Sequence, residues 1–112
     1  MEIQRWITPE PATLECSDSI GRAADVMKER SIGAILVVKD KKLIGIFTER
    51  DLVRAFSERS ELTADIKLSE LMTSDPITCI PEDDYHSVYM LMKTHHVRHI
   101  PVVDNNNNEP VG

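Results

Sequence analysis

The stretch GIFTERD, Gly45 to Asp51, sets a hydroxyl and a carboxylate three residues apart, where the apolar run Leu43 to Phe47 ends. Two chemistries share that spacing. In the first, Thr48 caps a helix and Asp51 sits in its first turn as a capping box, where a carboxylate suits the helix dipole. In the second, the same helix N-terminus receives a phosphate through its amide groups and the hydroxyl. A carboxylate one turn in then accepts hydrogen bonds from the vicinal hydroxyls of a ribose. Gly45 would let the backbone come close to such a ligand.

Other polar residues carry weaker signals. His95, His96 and His99 cluster in sequence, but neighbouring His95 and His96 point apart on a helix or a strand, and no carboxylate is fixed beside them. A solvated turn, with His99 facing a ligand, fits better than a metal site. Tyr85, Tyr89, Met90 and Met92 read as a helix face that packs on a core or a dimer partner, and Trp6 as a packing residue. Asn105 to Asn108 form a turn. No nucleophile is paired with a histidine and an acid at a readable spacing, and no phosphate-binding glycine loop is present, so the chain is expected not to be an enzyme.

Composition narrows the classes further. The 112 residues suit one compact domain with its own core. A net charge of -6 argues against a nucleic-acid surface. Cys16 and Cys79 are too few for a disulfide framework or a zinc site and suggest free thiols in the cytoplasm. No apolar stretch is long enough for membrane insertion, and the N-terminus is too polar for a signal peptide.

The elements that must position these residues occur twice. From Pro11 and again from Pro76, at an offset of 65 residues, Thr13 matches Thr78, Asp18 matches Asp83, Met27 matches Met92 and Val37-Val38 matches Val102-Val103. Ile7-Thr8 falls opposite Met72-Thr73. Allowing two extra residues near Asn105 to Asn108, Gly45 falls opposite Gly112. Each unit begins with a short strand, Ala12 to Leu14 or Ile77 to Ile80. A helix follows, with apolar residues at Ile20, Ala23, Ala24 and Met27 or at Tyr85, Val88, Tyr89 and Met92. Its N-cap is expected at Asp18 or Asp83, or at the residue before each. In unit one, strands Ala34 to Val38 and Leu43 to Phe47 form an antiparallel pair, a helix spans Arg50 to Ser57, and a short helix falls within Ile66 to Met72. The fold class is α+β, two β-α-β-β-α units in residues 1–65 and 66–112, packed sheet against sheet as a pseudo-two-fold pair with the second unit truncated.

This order, with SIGAILVVKDKKLIGIFTERDL in unit one and HHVRHIPVVD in unit two, resembles a tandem pair of cystathionine-beta-synthase-type (CBS) domains, a Bateman module. GIFTERD matches that family's ribose and phosphate motif. The resemblance implies a regulatory module with no obligatory cofactor. It would bind an adenosine-containing ligand (AMP, ADP, ATP or S-adenosylmethionine), form a homodimer, and act on an effector protein or a fused domain. It implies that Asp51 holds the ribose, that Thr48 holds ribose or phosphate, and that Ile32, Gly33 and Ala34 line one wall. Pro76, Ile77 and Thr78 would face the base, and Arg98 and His99 the phosphate. A second site would use Thr8, Pro11, Ala12 and Thr13 with a second copy of the motif. The alignment of Gly112 with Gly45 leads us to expect that the natural protein continues into that copy, and that the 112-residue form needs a partner chain to cover its sheet. Alternative readings are a structural dimerisation module in which Thr48 and Asp51 only cap a helix, and a regulatory fragment of a larger enzyme or transporter.

Overall fold

Ala34–Lys39 and Lys42–Thr48 form strands β2 and β3, joined by a two-residue turn at Asp40 and Lys41. Both turn residues have positive φ, 52° and 68°, which matches the twist of the turn to that of the strands. Strand β1 (Thr13–Glu15) runs parallel to β2, and β4 (Thr73–Ser74) runs antiparallel to β3, giving the sheet order β1-β2-β3-β4. Among the described residues, four α-helices accompany the sheet: α1 (Ile20–Arg30), α2 (Glu49–Glu58), α3 (Leu68–Leu71) and α4 (Tyr85–His95). A 3-10 turn at Ile3–Trp6 precedes them. This computed structural model describes residues 1–8, 10–59 and 61–112.

Several boundaries differ from the sequence expectation, each for a local reason. β1 starts at Thr13 because Ala12 is buried in the core and its carbonyl accepts from Leu36 N. The N-caps are Ser19 and Asp84, one residue after Asp18 and Asp83. Those two aspartates instead close the turn before each helix. Asp18 accepts from Glu15 N and Asp83 from Ile80 N, both at 2.9 Å. Such a side-chain-to-backbone bond competes with capping and fixes the chain just outside the helix. Of the extended segments expected in unit two, only the isolated bridges Cys79↔Val102 and Val103↔Pro110 form.

Those bridges nevertheless repeat unit one's register. Cys79↔Val102 is parallel, as Leu14↔Val37 is at the same offset. Val103↔Pro110 is antiparallel, as Val38↔Leu43 is once the two extra residues are allowed for. The pseudo-symmetry extends to the joints. Ile20 N donates to Ile66 O and Leu68 N to Asp18 O, both at 2.8 Å. Their counterparts, Tyr85 N to Met1 O at 2.7 Å and Ile3 N to Asp83 O at 3.0 Å, do the same for unit two. Each segment that precedes one unit in sequence therefore packs on the other unit.

The apolar residues divide accordingly. Ile20, Ala23, Met27, Ile35, Val37, Phe47 and Leu68 build the core of unit one, and Ile3, Cys79 and Val102 a smaller one in unit two. Between them, Leu36, Leu43 and Ile46 from β2 and β3 meet Val103 and Ile80, so the sheet of unit one packs on the bridged segments of unit two rather than on a second full sheet. The apolar face predicted for α4 is not buried. Tyr85 and Tyr89 are about half exposed, and the Tyr85 ring rests against Trp6 with centroids 4.8 Å apart.

Gly45 is where β4 crosses β3. A Cβ there would lie 2.5 Å from Met72 Sδ and 3.0 Å from Thr73 O. Gly45→Ala should therefore cost about 1–3 kcal/mol by forcing β4 away, measured as a lower denaturation midpoint with an unchanged slope.

Candidate functional site

Thr48 ends β3 in an extended conformation and caps α2, since α2 begins where the sheet hydrogen bonding stops. Its hydroxyl accepts from Asp51 N at 3.2 Å, and Asp51 Oδ2 accepts from Thr48 N at 2.9 Å, a complete capping box. Asp51 is only 4% exposed. Its second oxygen, Oδ1, accepts from Thr73 Oγ1 at 2.9 Å and from Arg54 Nη1 at 3.4 Å. The carboxylate thus joins α2 of unit one to β4, the strand that leads into unit two.

A cleft of about 670 Å³ opens over this point. One wall is Gly33, Ile46 and the first turns of α2, with Thr48, Arg50, Asp51 and Arg54. The other comes from Thr73, Asp75, Pro76 and Ile77, and from Val97, Arg98 and His99 after α4. Arg50 spans the cleft and donates from Nη1 to His96 O, at the left-handed C-cap of α4, at 3.1 Å. Three guanidinium groups and two imidazoles, His95 and His99, share the lining with Glu49, Asp51 and Asp75. Such a site offers a buried acceptor for hydroxyl groups and, close by, planar cations suited to phosphate or carboxylate oxygens. Among the described residues, no group of three or more His, Cys, Asp or Glu side chains is placed to hold a metal ion.

A second cleft of about 540 Å³ lies on the other side of Gly33. Thr8, Pro11 and Ala12 line it, together with Trp6, Tyr85 and Tyr89. Cys79 also faces it, and burial first, then the charge of Asp83, pushes its thiol up to about 11, which keeps it protonated and unreactive at neutral pH.

The sequence model for the CBS domain matches residues 2–58 and 68–112. The chain belongs to the CBS-domain family. Over 105 residues it is 31% identical to the CBS domain-containing protein YhcV of Bacillus subtilis, covering 94% of this chain and 74% of that one. It is also 31% identical to the inosine-5'-monophosphate dehydrogenase of Korarchaeum cryptofilum, of which it spans 20%. Among solved structures, a CBS-domain protein from Agrobacterium tumefaciens superposes with a TM-score of 0.88 at 28% identity, covering all of this chain and 90% of that one. A CBS domain protein from Pyrobaculum aerophilum complexed with AMP gives 0.89 at 26% identity, over all of this chain and 85% of that one. A CBS domain pair crystallised with 5'-methylthioadenosine and S-adenosyl-L-methionine gives 0.88 at 25% identity, over all of this chain and 86% of that one. The α+β tandem arrangement is therefore that of a CBS pair. Among the described residues, no helix of this pair is long and apolar enough to cross a membrane.

Within this CBS pair, the first cleft brings together Gly33, Thr48, Asp51, Pro76, Ile77, Arg98 and His99. Four other anticipated residues lie elsewhere. Ile32 and Ala34 line the second cleft, which Gly33 also borders, and are absent from the lining of the first. Thr78 is absent from the lining, which in this segment ends at Ile77. Gly45 approaches the backbone of β4 rather than open space. Of the anticipated second-site residues, Thr13 lies outside the second cleft, since β1 turns it away from Ala12. Thr73, Arg50 and Arg54 were not anticipated. Thr73 carried a signal as the repeat partner of Thr8, and Arg54 one as the residue a helical turn beyond Asp51.

Thr73→Val keeps the shape and removes the hydroxyl that Asp51 Oδ1 accepts. It should lower the unfolding free energy by about 1–2 kcal/mol, with Thr73→Ser restoring most of the loss. Denaturant titration of the three proteins measures both changes.

Proposed function

We propose that this CBS pair is a regulatory module that binds an adenosine nucleotide in the cleft between its units. The observation that carries the reading is one nearly buried carboxylate, Asp51, sharing that cleft with three arginines. Asp51 holds the ribose, Thr48 its neighbouring phosphate oxygen, and Arg98 and His99 the phosphate end. Gly33, Pro76 and Ile77 frame the base, the latter two partly through backbone groups. Ile32, Ala34, Gly45 and Thr78 support these walls from behind. The AMP complex of the Pyrobaculum aerophilum protein and the methylthioadenosine and S-adenosylmethionine complex of the other pair support an adenosine-containing ligand. The cations favour AMP, ADP or ATP over S-adenosylmethionine, whose positive sulfonium would be repelled by three guanidinium groups. The output passes to an effector, fused as in the inosine-5'-monophosphate dehydrogenase relative or separate. The thiols of Cys16 and Cys79, both unbridged, suit a reducing cytoplasm.

Asp51 also closes the capping box and accepts from Thr73, so truncating it weakens the fold as well as the site. Asp51→Asn keeps the volume and removes the charge. Calorimetry should show AMP affinity reduced by about 1.5–3 kcal/mol in this variant, while equal affinities would remove the ribose assignment.

We also propose that the module forms a homodimer through the outward faces of α2 and α4. Val53 and Phe56, one turn apart on α2, are 68% and 75% exposed, and Tyr89 and Met90 are open on α4. Light scattering across a dilution series should give a dimer mass that falls to the monomer when Phe56 is replaced by Glu. A monomer at all micromolar concentrations would exclude the dimer.

A further inference from the structure

The carboxylate of Asp51 has two oxygens and about four lone-pair sites. Four donors already reach it. Thr48 N and Thr48 Oγ1 approach Oδ2 at 2.9 and 3.2 Å. Thr73 Oγ1 and Arg54 Nη1 approach Oδ1 at 2.9 and 3.4 Å. The Asp51 side chain is 3% exposed. A ribose cannot be added to this set, and one of the present donors must leave.

The four donors differ in what holds them. Thr48 N belongs to the capping box, and its loss would open the first turn of α2. Thr48 Oγ1 is tied to the same box by accepting from Asp51 N. Thr73 is fixed by the pairing Ile46↔Thr73 between β3 and β4. Arg54 sits three residues beyond Asp51 on α2, its side chain is 53% exposed, and its contact is the longest of the four. An ion pair on such an exposed, flexible arm contributes little. Arg54 is the donor that leaves most easily, and it stays within the cleft when it does, because it lines the same wall.

We propose that Arg54 is a gate on Asp51 that selects phosphorylated ligands. A ribose hydroxyl takes the place of the guanidinium on Oδ1, and the released guanidinium turns to the phosphate, where its planar donors match two oxygens. A nucleoside without phosphate displaces Arg54 and offers it nothing in return. Arg50 cannot take this part, because it is engaged with His96 O across the cleft. Arg98 and His99 stand on the opposite wall, away from Asp51. The inference rests on the nucleotide reading above and adds a residue that sets the preference within it.

The test is calorimetric titration of adenosine and AMP into the parent, Arg54→Met, Arg54→Gln and Arg54→Lys. Arg54 is exposed on the helix surface and all three replacements are good helix formers, so the variants should melt with the parent. In Arg54→Met and Arg54→Gln, adenosine should bind about two- to fivefold more tightly, the return of a weak ion pair. AMP should bind about tenfold more weakly, the loss of a charge-assisted contact. Arg54→Lys should keep most of the AMP affinity. These opposite signs are not produced by a general loosening of the fold, which lowers both affinities together. An unchanged adenosine-to-AMP ratio in Arg54→Met and Arg54→Gln, or a joint fall, overturns the gate and leaves the nucleotide reading standing. A parent that binds neither ligand overturns both.

Discussion

The helix N-termini of this CBS pair are finished by backbone from the other half of the chain. Ile20 N needs Ile66 O, and Tyr85 N needs Met1 O. The donors at a helix start have no partner within the helix, and here a distant segment supplies one. That requirement draws the residues before each unit across to its neighbour, where Leu68 and Ile3 are buried in the opposite core. Neither unit completes its own packing without the other, so the pair rather than the single repeat is the folding unit. The amine of Met1 adds an ion pair to Asp84 and, with that hydrogen bond, holds the Asp84 carboxyl below the usual carboxylate range.

The cleft is a by-product of this exchange. Residues 66–73 must run along unit one before unit two begins, and Gly45 lets them approach β3 closely enough for Thr73 to reach Asp51. The glycine, the threonine and the aspartate of GIFTERD therefore have one geometric logic. The glycine admits the crossing strand, the threonine starts the helix, and the aspartate fastens the two together. A ligand that engages Asp51 acts on the contact between α2 and the segment joining the units. That gives a physical route from occupancy to a change in the relation of the two halves, and a regulatory module requires such a route. Arg50, reaching from α2 to the end of α4, is a second tie across the same opening.

The two clefts, though related by the repeat, differ in chemistry. Asp51 and three arginines make the first polar and charged. The second is lined by Trp6, Tyr85 and Tyr89, together with Arg30 and Arg98. A repeat conserves backbone register far better than it conserves side-chain chemistry. Cys79↔Val102 keeps the pairing of Leu14↔Val37, yet in place of Ile20 and Ala24 in unit one, unit two has two tyrosines.

Much of this was legible in the residues alone. Apolar periodicity located α1, α4 and the β2–β3 hairpin, and the offset between units, with its two-residue insertion, agrees with the bridges formed at Val103 and Pro110. Thr48 and Asp51 announced a helix start because capping is a local matter, decided within four residues. What lay beyond sequence was every contact between residues far apart in the chain. The burial of Asp51 under Thr73, the direction in which Ile32 and Ala34 face, and the exposure of α4 all depend on where the second unit is set against the first. Local spacing determines which hydrogen bonds a residue can make with its neighbours in the chain. Only the crossing of the two joining segments, forced by unfinished helix starts and permitted by a missing Cβ at Gly45, decided which distant groups those residues would meet.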